Sequence, residues 1–155
     1  MSVHTFRAQQ FLPISLEKAW DFFSSPKNLS VITPPEMNFV ITSEALAEKT
    51  YAGQIISYRV SPLPGFRTSW VTEITHVNAP HFFVDEQRKG PYVMWHHQHH
   101  FEAVEGGVMM TDIVNYEAPL GVLGDMMNKL VIQKKIKSIF DYRTKKLESL
   151  FGKIA

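Results

Sequence analysis

The sequence contains no cysteine in its 155 residues, which excludes disulfide bonds, thiol nucleophiles and cysteine-ligated metal sites. It also has no apolar run close to the roughly 20 residues that a membrane-spanning helix needs, so we expect no stable membrane insertion. The first residues, MSVHTFRAQQFLPIS, are polar and alternating and do not have the charged start and apolar block of a signal peptide. These features predict a soluble protein of the cytoplasm.

An excess of charge of either sign is missing as well. The 16 basic and 15 acidic side chains leave a formal net charge of +1, so the chain has no strong field that would hold nucleic acid. The sequence also lacks phosphate-binding loops, the dinucleotide fingerprint, the nucleophile elbow of hydrolases and calcium-binding loops. We therefore expect no nucleic-acid partner and no cofactor. The sequence does not define a protein partner, and a regulatory domain that acts through one is a lesser alternative.

A change of hydrophobic period divides the chain into elements. Residues 4–13 alternate in polarity as a strand does, and a helical stripe follows from Leu16 to Phe23, between Ser15 as N-cap and Pro26 as the stop. The proline-broken segment after it has room for one more helical turn. From residue 37 to residue 119 the period is two, and short turns separate candidate strands at 37–46, 53–61, 68–77, 81–88, 92–104 and 108–118.

The carboxyl-terminal segment, residues 121–154, has a helical period and predicts one long helix that begins near Leu120. Its apolar stripe comprises Leu123, Met126, Met127, Leu130, Ile136, Ile139, Phe140, Leu147, Leu150 and Phe151. Short turns make neighbouring strands antiparallel, and a sheet of so many strands must curl. We therefore expect a single α+β domain over residues 1–155, in which a curved antiparallel sheet of about seven strands wraps around the long helix. Two short helices are expected after the first strand.

Residues 90–100, GPYVMWHHQHH, place four histidines within five positions. If the glycines at 106–107 form the next turn, residue i pairs with residue 213 − i, and alternate side chains point to opposite faces. The inner face then collects apolar and aromatic side chains with a few polar groups: Trp95, His97, His99, Phe101, Asp112 and Tyr116. In this register His99 lies opposite Val114, and Phe101 opposite Asp112. His96 and His100 point to solvent, where we expect His96 to pair with Glu117.

The inward pair, His97 and His99, has three interpretations. Two histidines at i and i+2 of a strand project in parallel, about 7 Å apart at Cα, and can chelate a metal with Asp85 or Asp112 as a third ligand. The pair can also perform acid–base chemistry around one cavity with Asp112, and with Tyr58 or Tyr116 as a proton donor. The simplest interpretation is a buried polar patch whose members satisfy one another's hydrogen bonds. Because neither carboxylate is a clear third ligand, the sequence predicts that no metal is required.

Several sequence blocks occur in order along the chain: FLPISLEKAWDFFSSPKNLSVITPPEM, Gly53 with ISYRVSPLPGF, Trp70, FVDEQRKGPY, WHHQHHF and DIVNYEAPLG. In these blocks the chain resembles the SRPBCC superfamily over essentially its whole length. The superfamily's helix-grip proteins include START lipid-transfer domains, birch-pollen-allergen-like proteins and polyketide cyclases. More narrowly, the chain resembles the bacterial ligand-binding branch that is sometimes labelled cell-division-inhibitor-like.

The resemblance implies a sheet that grips the terminal helix around an apolar cavity. It also implies that Asp85 and Gln87 join the inner face if KGP forms a three-residue loop, whereas a two-residue loop turns Glu86 inward. We expect a binding protein for a small, mostly apolar ligand that is lipid-, aromatic- or polyketide-like. The alternative is a polyketide cyclase- or dehydratase-like enzyme that uses histidine, aspartate and tyrosine acid–base chemistry in the same cavity.

No residue is assigned a catalytic role. The candidate ligand-binding residues are Tyr58, Trp70, Asp85, Gln87, Trp95, His97, His99, Phe101, Asp112, Tyr116 and Met127. Trp70 is a core or cavity-wall residue in this interpretation. Met127 is included because flexible methionine side chains often line adaptable pockets.

Overall fold

The amino-terminal strand and helix form where the sequence predicts them. A computed structural model describes residues 2–153, with the side chains of residues 128 and 129 outside that description. Strand β1 (His4–Leu12) is followed by helix α1 (Leu16–Phe23) and by 3₁₀ helices at Pro26–Ser30 and Pro35–Met37. The Ser15 hydroxyl accepts a hydrogen bond from the backbone N–H of Lys18, which caps α1.

Period-two segments form the rest of the sheet. The strands are β2 (Val40–Ile41), β3 (Ile55–Leu63), β4 (Phe66–Asn78), β5 (Phe82–Lys89), β6 (Met94–Val104) and β7 (Gly107–Glu117). They join β1 in one seven-stranded antiparallel sheet of order β1-β7-β6-β5-β4-β3-β2. The predicted α+β class, the antiparallel hairpins and the short helices after the first strand are confirmed.

The strand predicted at 37–46 is wrong in extent, because β2 contains only Val40 and Ile41. Asn38 has a left-handed backbone with φ of 46°, which ends the preceding 3₁₀ helix and delays the start of the strand. Beyond Ile41 the regular ladder ends: the Ser57 carbonyl accepts hydrogen bonds from the backbone N–H groups of both Thr42 and Ser43, and the Ser43 hydroxyl accepts one from the backbone N–H of Ser57 at 2.8 Å. The edge strand is therefore short, and turn-forming residues follow it.

The long carboxyl-terminal helix is confirmed as α3 (Gln133–Phe151), but it does not run unbroken from Leu120. Helix α2 (Gly121–Met127) and a π-helical segment (Asn128–Ile132) precede it. A π-helical turn holds an extra residue and so rotates the faces of the helix that follows. Ile154, where the predicted helix ends, lies outside the described residues.

The predicted apolar stripe is buried only in α3. Ile136, Phe140 and Leu147 pack into the core, whereas Leu123 and Met126 of α2 are each 58% exposed. The other exposed members of the stripe are Met127, Leu130 and Leu150. The sequence periodicity therefore predicted a helical conformation in α2 correctly but not its burial.

The register of the β6–β7 hairpin differs from the expected one by two residues. His97 lies opposite Val114 and His99 opposite Asp112, because Val104 pairs with Gly107 and the turn is formed by residues 105–106. Gly107 belongs to the strand, where a Cβ atom would lie 2.2 Å from the Leu12 carbonyl oxygen. Since a shift of two residues preserves the alternation of side chains, every predicted face is unchanged.

Three groups of buried apolar side chains lie between the inner face of the sheet and the helices. One joins α1, β6, β7 and the end of α3, another joins β7 to the start of α3, and a third joins the second 3₁₀ helix to β3 and β4. Their central residues are Leu12, Phe23, Phe101, Leu147, Val114, Tyr116, Ile136, Phe140, Met37, Val60 and Trp70. Within residues 2–153, no helix combines the length and hydropathy that crossing a bilayer requires.

Candidate ligand-binding cavity and its polar cluster

A cavity of about 480 Å³ lies between the sheet and the helices. Its wall is mainly apolar and aromatic, with Tyr58 and Trp70 from the sheet facing Ile136 and Ile139 from α3. Tyr58 and Trp70 stack with their ring centroids 6.0 Å apart, and the Trp95 ring meets Trp70 edge-on at 5.4 Å. These aromatic contacts give the wall a fixed shape.

The cavity reaches the protein surface between α2 and the turn that joins β3 to β4. Leu120, Leu63 and Phe66 all line the cavity and are all more than two-fifths exposed. Leu120 is the most exposed of the three, at 73%. This part of the lining is apolar and exposed to solvent, and it forms the mouth of the cavity.

A cluster of charged and polar groups forms one part of the wall. Strand pairing assembles it, because Asp85 on β5 lies opposite His97 on β6, and Asp112 on β7 lies opposite His99 on β6. His97 Nε2 donates to Asp112 Oδ1 at 2.8 Å, and His99 Nε2 lies 2.6 Å from Asp85 Oδ2. The two imidazole rings are 3.7 Å apart between centroids. The Nδ1 atoms make longer contacts, from His97 to Asp85 at 3.6 Å and from His99 to Asp112 at 3.2 Å, so each ring lies between the two carboxylates.

Arg143 of α3 completes the cluster from the helix side. Its Nη1 lies 3.2 Å from Asp112 Oδ1, and its guanidinium lies over the Phe23 and Phe140 rings. Both Arg143 and Asp112 are buried, so the charge of each compensates the other in a medium of low polarity. The pair ties the helix to the sheet directly beneath the two imidazoles.

The protonation states of the cluster follow from these contacts. Burial by itself would raise the pKa of Asp112, but the Arg143 guanidinium and hydrogen bonds from both imidazoles hold it well below its ordinary value. Burial likewise opposes ionisation of Asp85, and attraction to His97 with a hydrogen bond from His99 lowers its pKa. Burial and the charge on His99 lower the pKa of His97, while the two carboxylates raise the pKa of His99 despite its burial. Asp85 therefore faces the cavity as a carboxylate.

Three of these side chains present donor atoms that can bind one metal ion. Oxygen and nitrogen atoms of Asp85, His97 and His99 all lie within 4.8 Å of one another. All three residues line the cavity, whereas Asp112 lies behind the imidazoles. Of the two carboxylates that the sequence offers as a third ligand, Asp85 is the one that lines the cavity.

No protein-family model matches the chain, and no curated protein matches it significantly. Among solved structures it is similar to protein CV1439 from Chromobacterium violaceum, at 13% identity and a TM-score of 0.71, over 97% of this chain and 99% of that chain. It is also similar to major latex-like protein 151 from Panax ginseng, at 12% identity and a TM-score of 0.69, over 96% and 97% of the two chains. The chain has the helix-grip fold. TTHA0849 from Thermus thermophilus gives the same result, at 15% identity and a TM-score of 0.66, over 95% of this chain and 99% of that chain.

Similarity at identities this low is a similarity of fold alone. The fold confirms what the resemblance to the SRPBCC superfamily implies for the architecture. It explains why the cavity wall is divided between the two parts of the chain. One side comes from the strands and the other from the helix that they grip.

Most of the sequence-predicted site residues line the helix-grip cavity. They are Tyr58, Trp70, Asp85, Trp95, His97, His99 and Met127. The other predicted residues, Gln87, Phe101, Asp112 and Tyr116, are not part of the wall. Phe101 and Tyr116 pack into the core, and Gln87 makes hydrogen bonds with both the backbone N–H and the carbonyl of Tyr92. Asp112 lies behind the wall, in contact with His97 and His99.

The alternative that turned Glu86 inward is excluded by the pairing of β5 with β6. Glu86 lies opposite His96 on the outer face, where His96 Nδ1 is 2.7 Å from Glu86 Oε1. The expected pairing of His96 with Glu117 is therefore wrong, because the register places Asn115 beside His96. His100 also lies on the outer face and bonds to Gln98. Both outer histidines are only half-buried.

The sequence analysis missed Arg143, although its position carries a signal. Arg143 occupies a place in the buried stripe of α3 between Phe140 and Leu147, where the period calls for an apolar side chain. A cation in an apolar stripe indicates a buried acidic partner, since an unpaired buried charge is too costly. Tyr92 was missed for another reason: the predicted strand 92–104 includes it, and alternation places it on the same outer face as His96. In the structure β6 begins at Met94, and Tyr92 lies before the strand and lines the cavity.

Proposed function

We propose that this chain is a cytoplasmic binding protein for a small, mostly apolar molecule that carries one polar end. The observation that carries the proposal is a cavity of about 480 Å³ with an apolar wall and one charged cluster. Pockets that enclose drug-sized ligands are about 300–1,000 Å³ and combine an apolar lining with few polar groups. A lipid-, aromatic- or polyketide-like molecule fits this description.

The cluster gives the ligand a preferred direction. Asp85, His97 and His99 line the cavity, and the mouth beside Leu120 is apolar. A polar group of the ligand finds buried, charged hydrogen-bond partners at the cluster, so its apolar part extends toward the mouth. Because Asp85 is ionised, the favoured polar end is a hydrogen-bond donor such as a hydroxyl or amine.

The helix-grip fold is consistent with this role, since it places a cavity between sheet and helix. The fold does not select between carriers and enzymes, and that distinction depends on the site alone. Among the described residues the site contains no activated serine or other nucleophile with its base, and the chain has no cysteine. Binding is therefore the function that these residues support best.

One observation favours the enzyme alternative, a cyclase- or dehydratase-like activity. Asp112 accepts a hydrogen bond from His97 at 2.8 Å and so orients it as an acidic partner orients a catalytic base. Tyr58 also lines the cavity, and burial together with Asp85 raises the pKa of its phenol, which keeps it protonated as a donor. Tyr116, the other tyrosine considered as a donor, is not part of the cavity wall.

Native mass spectrometry of protein purified without detergent tests the binding proposal. We expect the chain to carry one small-molecule adduct that organic solvent releases in unchanged form. A chain without an adduct that also fails to bind any compound of an apolar library would contradict the proposal. Turnover of a linear polyketide substrate, abolished by His97→Gln, would instead favour the enzyme.

A further inference from the structure

The cavity-facing donors of the polar cluster converge on one point. Asp85 Oδ2 lies 2.6 Å from His99 Nε2 and 3.6 Å from His97 Nδ1. Zinc ions hold nitrogen and oxygen ligands at about 2.0–2.2 Å, so two ligands of a tetrahedral ion lie about 3.4 Å apart. The observed separations bracket that value. All three donors lie within 4.8 Å of one another, so the imidazoles and the Asp85 carboxylate must move closer together to bind one ion.

The far side of each imidazole is already occupied by Asp112. His97 Nε2 lies 2.8 Å and His99 Nδ1 lies 3.2 Å from Asp112 Oδ1, and Arg143 in turn holds that carboxylate. A carboxylate behind a histidine is the usual support of a metal-binding imidazole, because it fixes the ring and directs the opposite nitrogen to the ion. Here one carboxylate supports both rings.

The composition of the cluster also favours a cation. Two carboxyl groups, those of Asp85 and Asp112, lie against the two imidazoles, and the guanidinium of Arg143 contacts Asp112. Among the described residues, Asp85 has no lysine or arginine within ion-pair distance. A divalent ion between Asp85 and the imidazoles would supply a positive charge at that carboxyl group.

We propose that Asp85, His97 and His99 bind a divalent transition-metal ion at the polar end of the cavity. Two imidazoles and one carboxylate suit zinc, iron, cobalt or nickel better than magnesium or calcium, which prefer oxygen ligands. Three protein ligands leave at least one coordination position open, and it faces the cavity because all three side chains line it. The proposal does not require the apolar ligand.

Titration of the untagged, chelator-treated protein with cobalt(II) alone tests this site. We expect one equivalent to bind, to produce visible d–d absorption bands, and to be displaced by zinc. The Asp85→Asn variant removes the anionic ligand at the cavity wall, and we expect at least a tenfold loss of affinity. His99→Gln removes an imidazole and should have the same effect or a larger one. Melting of each variant without metal shows whether it is folded.

The double variant His96→Gln/His100→Gln is the matched control, since it removes two imidazoles from the same strand on its outer face. We expect it to bind cobalt with unchanged stoichiometry and affinity. The proposal is overturned if wild-type protein shows no one-to-one binding, or if the control loses binding while Asp85→Asn keeps it. Apolar ligands are absent from this titration, so its outcome is separate from that of the native mass spectrometry.

Discussion

The guanidinium Nη1 of Arg143 lies 3.2 Å from Asp112 Oδ1, which joins the gripped helix α3 to strand β7 inside the protein. Asp112 in turn accepts the hydrogen bond of His97, whose other face is turned to the cavity. The same ion pair therefore contributes to the packing of the helix and to the arrangement of the candidate site. Its effects on stability and on binding can be measured separately.

Replacing Arg143 by methionine keeps much of its volume but leaves the Asp112 carboxylate without a cation. Breaking a buried ion pair from one side costs about 3–5 kcal/mol, so we expect the free energy of unfolding to fall by that amount in urea denaturation. Lys137→Met is the control, because Lys137 and Asp141 form a surface pair with 68% and 55% side-chain exposure. We expect it to change stability by no more than about 0.5 kcal/mol. Equal losses in the two variants would contradict this role of Arg143.

We expect substitutions of the four clustered histidines to change stability by different amounts, according to the face of β6 on which each histidine lies. Because His96 and His100 lie half-buried on the outer face, we expect replacement by alanine to change stability by no more than about 0.5 kcal/mol. Replacing His97 or His99 leaves hydrogen-bond partners buried and unsatisfied, so we expect a loss of roughly 1–3 kcal/mol. Thermal and urea unfolding of the four single variants would measure this. A reversed ranking would mean that the faces of β6 are wrongly assigned.

Alanine substitutions of one leucine in α3 and one in α2 test which part of the predicted apolar stripe is buried. Leu147 of α3 is 0% exposed, and its truncation to alanine should cost about 2–5 kcal/mol through lost contacts and a new cavity. Leu123 of α2 is 58% exposed, and the same truncation should change stability by about 0.5 kcal/mol or less. Chemical denaturation distinguishes the two. A large loss in Leu123→Ala would show that α2 packs onto the core.

Much of this fold could be predicted from the sequence, because a register error of two residues does not change the face of the sheet to which a side chain points. The hairpin of β6 and β7 was placed two residues out of register, yet His97 and His99 remained on the inner face. What changed was the neighbour of each residue. Asp112 lies opposite His99 rather than Phe101, and this difference creates the polar cluster.

Other parts could not be derived from periodicity. The sequence pattern across α2 predicts a helix with an apolar face, but it does not show whether another part of the protein covers that face. In the structure Leu123 of this face is exposed. The position of Asp85 depended on the length of a loop whose sequence fits two geometries. Arg143 was missed because the stripe was assembled from apolar residues only.

The central claim is that the cavity binds a small, mostly apolar molecule, and a titration with N-phenyl-1-naphthylamine tests it most directly. This probe combines an aromatic body with one N–H donor that suits the ionised Asp85. Ile139→Trp enlarges a residue of the cavity wall, whereas Val122→Trp adds the same side chain at a position that is 82% exposed and does not line the cavity. We expect one saturable site per chain in the wild type and in Val122→Trp, and at least tenfold weaker binding in Ile139→Trp. Non-saturable binding, or binding that Ile139→Trp leaves unchanged, would contradict the account.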